Sequence, residues 1–108
     1  RINGEYDKAI PLLERIIDED CNHALAHMEL GLALCFTGMF DESIRELELA
    51  AGLDATNAEI RLQLAKAYTM LGMYDEGKAA FLVVLELSTP GDKHHAEAEK
   101  QLAYFENM

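Results

Sequence analysis

Apolar residues recur at three- and four-residue steps along nearly the whole chain, and almost nowhere do they alternate with polar ones. Ala9, Ile10, Leu13, Ile16 and Ile17 mark an amphipathic helix over residues 6–17. Asp7 is placed to cap it, and Pro11 falls in its first turn, where a missing amide proton is tolerable. Glu14, Arg15, Asp18 and Glu19 cover the opposite side, and Asp20-Cys21-Asn22-His23 breaks the pattern. A second helix is predicted over 24–37, with Leu30, Gly31, Ala33 and Leu34 on its tightest face. It stops at Gly38, which is free to turn left-handed. Asp41 caps a third helix over about 42–52, which buries Ile44, Leu47 and Ala50 or Ala51. After Asp54-Ala55-Thr56-Asn57 the cycle returns as helices over 58–71 and 75–87. Ser88-Thr89-Pro90-Gly91-Asp92 reads as a stop and loop, with Asp92 capping a last helix that runs to about Glu106. About six helices and almost no strand signal result.

The cycle has a fixed length. Gly4, Gly38 and Gly72 lie 34 residues apart and open the phrases Gly4-Glu5-Tyr6-Asp7, Gly38-Met39-Phe40-Asp41-Glu42 and Gly72-Met73-Tyr74-Asp75-Glu76. Superposing the cycles pairs Ala24 with Ala58, Leu30 with Leu64, Ala33 with Ala67 and Leu53 with Leu87. Ala96-Glu97-Ala98 with Leu102-Ala103 repeats the spacing of Ala58 to Ile60 with Leu64-Ala65, but 38 residues on, so the last link carries extra residues. A period of this size means one supersecondary unit stacked on copies of itself, because a single unit cannot bury its apolar face alone. Small residues where two helices cross set the distance between axes: Gly31 and Ala65 on one helix, Ser43 and Gly77 on the next. Close packing is the reason to keep Gly77 inside a helix, where glycine costs roughly 0.5–1 kcal/mol against alanine.

Charge narrows the partner. Nine Lys and Arg against twenty Asp and Glu give a net charge of −11 over 108 residues, which repels a phosphate backbone and an anionic bilayer alike. Nucleic acid and membrane are therefore excluded as expected partners. Two cysteines, Cys21 and Cys35, are too few for a disulfide framework, which points mildly to a reducing, cytoplasmic setting. The chain starts within a repeat phrase, which predicts a segment of a longer protein.

The phrase Leu30-Gly31, Leu34, Gly38-Met39-Phe40-Asp41-Glu42-Ser43, Leu47, Ala50 and Leu53 resembles the tetratricopeptide repeat, a helix-turn-helix unit. Leu64-Ala65, Tyr68, Gly72-Met73-Tyr74-Asp75-Glu76-Gly77, Phe81 and Leu87 fit it as well. The resemblance covers nearly the whole chain as a single domain: 1–23 the second helix of a truncated repeat, 24–57 and 58–91 two repeats, and 92–108 a C-terminal capping helix. Two positions depart from it. The large aromatic usual early in the first helix is His27 or Arg61, and the proline usual near the repeat end is Cys21, Ala55 or Thr89.

The resemblance implies an all-α, right-handed solenoid of antiparallel helix pairs whose first helices line a concave groove for a peptide or helix of a partner protein. Carried over by position, the groove presents Leu25, Met28, Leu32, Cys35 and Phe36 from one repeat. The next presents Glu59, Leu62, Lys66, Thr69 and Met70, and the last helix adds Glu97, Lys100 and Tyr104. Members that grip a C-terminal carboxylate carry Lys and Asn where this chain has Met28, Leu32 and Leu62, so a carboxylate clamp is not expected. The first groove set, added to Leu30, Ala33 and Leu34, leaves that helix apolar nearly all round. Such a helix must be covered on more than one side. An apolar or amphipathic segment of another protein is the expected occupant, with Leu32, Phe36, Leu62 and Met70 at its centre. The alternative is self-association into a homodimer, through the groove or through the first helix, where Ile10, Leu13 and Ile17 are expected to be short of cover.

Catalysis finds little support. The carboxylate pairs Asp41-Glu42 and Asp75-Glu76 sit at helix starts, where they complement the helix dipole. No nucleophile has a base at a motif spacing, and no glycine-rich phosphate loop precedes a helix. Cys21, His23 and His27 share a short stretch, but a structural zinc needs four ligands and nothing nearby completes the set. His23 and His27 read as polar surface, and His94-His95 as loop or first-turn residues. No cofactor or metal is expected.

Overall fold

The computed structural model describes residues 2–107, with side chains from Glu5 onward. Six helices and no strands are found among the described residues: α1 (Ile2–Glu19), α2 (Ala24–Phe36), α3 (Phe40–Leu53), α4 (Ala58–Met70), α5 (Tyr74–Leu87) and α6 (Lys93–Glu106). No described helix is long and apolar enough to cross a membrane. The helices fall into two compact units that divide between Ala55 and Thr56. In the first, α2 packs on α1 and on α3. In the second, α5 packs on α4 and on α6, with a further contact between α4 and α6.

The predicted turns close in one way twice. Thr37 ends α2, the Gly38 N–H donates to the Cys35 carbonyl, and the Met39 N–H donates to the Leu34 carbonyl at 2.9 Å. Leu71, Gly72 and Met73 repeat this with the Thr69 and Tyr68 carbonyls. Such a closure puts the residue after the cap in the left-handed region, and Gly38 (φ 88°) and Gly72 (φ 81°) occupy it. Gly4 is different: α1 runs through Gly4-Glu5-Tyr6-Asp7 without a turn. Asp7 is thus an interior residue and not a cap, and Pro11 lies in the helix interior instead of the first turn. The carbonyl of Asp7 therefore lacks the donor that position 11 normally supplies.

Asp41 and Asp75 also miss the cap position. Once Gly38 and Gly72 have turned the chain, Met39 and Met73 become the N-caps of α3 and α5, without a side-chain bond. Asp41, Glu42, Asp75 and Glu76 land in the first turn, where their carboxylates face the positive end of the dipole. Side-chain caps do form elsewhere. His23 Nδ1 accepts from the Ala26 N–H at 3.0 Å, Asn57 Oδ1 from Ile60 at 3.1 Å and Asp92 Oδ1 from His94 at 2.7 Å.

Each unit has its own close crossing. Gly31 lies against α3 so tightly that a Cβ there would sit 2.7 Å from Leu47 Cγ and 3.1 Å from the Ser43 carbonyl oxygen. Ser43 is buried and donates to the Gly31 carbonyl at 2.6 Å. Leu47, Ala50 and Ala51 are all buried, whereas Ile44 is half-buried and Leu53 exposed. At the matching crossing a Cβ on Gly77 would meet Thr69 Oγ1 at 2.5 Å. Below it, Leu62, Ala65, Phe81, Val84 and Ala98 form the core of the second unit, with Leu85, Leu102 and Phe105 packed against it.

Candidate binding surfaces

Helix α2 presents the first five expected groove residues, and the structure divides them. Leu25 and Phe36 are each about half exposed and Leu32 is intermediate, so these three can meet a partner. Met28 and Cys35 are buried, at 3 % and 8 % exposure, and serve the packing of the fold. Phe36 has one face covered by Tyr6 of α1, with ring centroids 4.8 Å apart and planes 16° from parallel. Burial pushes the Cys35 thiol above its ordinary range, and its hydrogen bond with Ser43 pulls it partly back.

In the second unit Glu59, Leu62, Lys66 and Glu97 line one open depression of about 290 Å³ between α4 and the start of α6, together with Gln63, Lys93 and His94. Four residues named from the sequence thus come together. Leu62, however, is only 5 % exposed and belongs to the core, so the floor is closed and not a slot for a side chain. Thr69 turns its hydroxyl back to the Ala65 carbonyl at 2.9 Å, within the α4 and α5 crossing. Met70, at 60 % exposure, and Tyr104, at 56 %, are the most exposed apolar members of the set, and Lys100 is exposed one turn before Tyr104 on α6. Lys66, Lys93 and Lys100 place cations on this side of a strongly acidic chain, with Glu59 and Glu97 between them.

His23 lies at the surface as expected, but His27 does not. His23 caps α2 through Nδ1. His27 is buried, with Nδ1 2.7 Å from Glu46 Oε1 and Nε2 2.8 Å from the Cys21 carbonyl oxygen. It occupies the position where the repeat pattern carries a large aromatic, and in its place ties α2 both to α3 and to the α1–α2 loop. That departure from the pattern was the one signal in the sequence. His95 is also buried, with Nδ1 3.1 Å from Ser88 Oγ and Nε2 3.5 Å from Glu99. Among the described residues no group of three His, Cys, Asp or Glu is arranged to hold a metal ion.

A second groove was not legible from periodicity. Leu82, Leu85, Leu102 and Ala103 floor an open furrow of about 350 Å³ between α5 and α6, edged by Glu99 and Glu106. It needs two helices to exist, and only the 38-residue step to Leu102-Ala103 hinted at it.

No family model and no curated protein matches the chain. Solved structures do. The TPR domain of Arabidopsis OM64 is 24 % identical with a TM-score of 0.81, over 94 % of this chain and 84 % of that one. The second TPR domain of human RPAP3, solved with the HSP70 peptide SGPTIEEVD, is 27 % identical with a TM-score of 0.79, over 93 % and 82 %. The Yersinia enterocolitica type III secretion chaperone SycD, solved with a peptide of the translocator YopD, is 16 % identical with a TM-score of 0.87, over 96 % and 82 %. With paired helices in a 34-residue cycle, glycine-turned corners and these neighbours, the chain has the all-α tetratricopeptide-repeat fold.

Proposed function

We propose that this protein is a non-catalytic scaffold that docks an apolar or amphipathic segment of a partner protein on the outward faces of its first-of-pair helices. The observation that carries this reading is on α2. Its inner residues Leu30, Ala33 and Leu34 are buried, yet Leu25, Leu32 and Phe36 still present apolar surface on one side of the same helix. In the second unit Lys66, Met70, Lys100 and Tyr104 offer apolar contacts beside cations, suited to a segment that carries carboxylates between its apolar anchors. The peptides bound by the RPAP3 domain and by SycD support the class of ligand. Met28, Cys35 and Leu62 act beneath the surface.

The test is selection from a phage-displayed peptide library, followed by calorimetry of a selected peptide with the unaltered chain and with Leu32→Glu and Met70→Glu. Tenfold or greater weakening in variants with unchanged helicity is expected, since about 1.4 kcal/mol corresponds to that factor. Equal affinity in both variants overturns the reading.

A further inference from the structure

The furrow between α5 and α6 stands at a defined place in the repeat. Leu102-Ala103 repeats Leu30-Gly31 and Leu64-Ala65. Gly31 receives α3 through Ser43 and Leu47, and the Ala65 carbonyl lies 3.4 Å from where a Cβ on Gly77 of α5 would stand. Ala103 is exposed and Leu82 is 46 % exposed, so the corresponding face of α6 is open. The partner it calls for is a helix with a small residue at the crossing and apolar residues one and two turns on. The furrow's edge residues, Glu99 and Glu106, are both acidic, and Glu86 nearby on α5 is exposed. Lys78, one turn before Leu82, is the nearest cation along α5. Charge therefore favours a helix with cations along its margin.

Helix α1 has that pattern. In the 34-residue cycle Ala9, Leu13 and Ile16 stand where α3 has Ser43, Leu47 and Ala50. On its outward side Leu12 and Ile16 are 58 % and 42 % exposed, and Lys8 and Arg15 are exposed along their margin, with Glu5 and Glu19 toward the two ends. We propose that the furrow of Leu82, Leu85, Leu102 and Ala103 receives α1 of a second copy of this chain, laid antiparallel on α6 as α3 lies on α2.

The register follows from the first unit, where Gly31 faces Ser43 and Leu47. Moved by the repeat, it puts Ala103 opposite Ala9 and Leu13. It also brings Glu106 level with Lys8, and Glu99, in the place where His27 meets Glu46, over Leu12 and within one turn of Arg15. Both pairs of charges are seven residues apart along their helices, roughly 10 Å, so the two bridges form together. Glu99 exchanges its 3.5 Å contact with His95 for one with the guanidinium. The contact joins two different surfaces, so a copy bound through α1 still offers its own furrow, and the assembly grows head to tail.

This reading is independent of the peptide docking proposed above. It uses the side of α6 that bears Glu99, Ala103 and Glu106, whereas Glu97, Lys100 and Tyr104 lie on an adjoining side by helical period. Light scattering on the 108-residue chain over a hundredfold concentration range should show the average mass rising from one chain to two and beyond, less so at high salt. Two charge-reversed chains, Lys8→Glu with Arg15→Glu and Glu99→Lys with Glu106→Lys, should each stay helical and lose association. The first lacks a compatible plug and the second a compatible furrow, so each remains monomeric alone. Mixed one to one, they should recover association, because the second retains its basic plug for the unaltered furrow of the first. A mass that stays at one chain throughout, undiminished association of either variant alone, or a mixture that stays monomeric overturns the proposal.

Discussion

His27 on α2 and Glu46 on α3 meet at 2.7 Å, while the other ring nitrogen of His27 lies 2.8 Å from the carbonyl oxygen of Cys21. A carboxylate and a carbonyl both accept, so the ring donates to both only when each nitrogen carries a proton; the neutral ring keeps one bond and leaves the other contact unbonded. The side chain of His27 is almost fully enclosed and that of Glu46 is mostly so. Replacing His27 by Phe fills much of the space but removes both donors. We expect a loss of about 1–3 kcal/mol in urea unfolding, with Glu46→Gln costing less because the amide oxygen still accepts. An unchanged unfolding midpoint for His27→Phe would show that the two bonds contribute nothing net.

The two crossing glycines differ in what surrounds them. At Gly31 a new Cβ meets Leu47, which is fully buried and has nowhere to go. Overpacking of this kind costs about 1–3 kcal/mol, more than the gain of about 1 kcal/mol from alanine's helix propensity. At Gly77 the obstacle is the hydroxyl of half-buried Thr69, which can rotate at the loss of its bond to Ala65. Gly31→Ala should therefore lower the melting temperature and Gly77→Ala should lower it less or not at all. The reverse order would contradict the packing described for α2 and α3.

The thiols should differ in reactivity. Cys21 is exposed and Cys35 buried, with the Cys35 thiol pushed up by burial. Iodoacetamide near about pH 8, close to the ordinary thiol range, should give one adduct on Cys21 in the folded chain. The second should appear only as the chain unfolds. Because the folded state holds the Cys35 proton more tightly than the unfolded one, this contribution to stability is complete below the ordinary thiol range. It is lost as pH rises through that range and on past the raised folded value. Two adducts forming at equal rates in folded protein would contradict the burial of Cys35.

Polar residues at helix starts should separate into two classes. Asn57→Ala and Asp92→Ala each remove a side-chain acceptor from an end amide, at about 0.5–2 kcal/mol. Asp41→Ala and Asp75→Ala lose only the dipole attraction of a first-turn carboxylate, about 0.3–1 kcal/mol, and that loss should shrink in salt. Urea titrations at low and high ionic strength read both effects.

The sequence alone determined the helix count, the repeat and the crossings, because these rest on local periodicity, on glycines at the left-handed corners and on small residues at the close approaches. Gly38 and Gly72 turn left-handed and Gly31 and Gly77 sit at close approaches, all as their spacing demands. Cap assignments were less legible: Asp41 and Asp75 fell two residues past the caps because the glycine corner, and not the carboxylate, fixes where α3 and α5 begin. Local sequence likewise gave no warning that α1 continues through Gly4. Tertiary structure decided burial. Met28, Cys35 and Leu62 occupy positions that helical period alone left open to solvent, and neighbouring helices cover them, while Leu25, Phe36 and Met70 at helix ends escape that cover. His27 became a buried link because Glu46, nineteen residues on, and the Cys21 carbonyl both converge on it. Periodicity reports which side of a helix is apolar; only the packing of helix on helix decides which of those apolar residues remains for a partner.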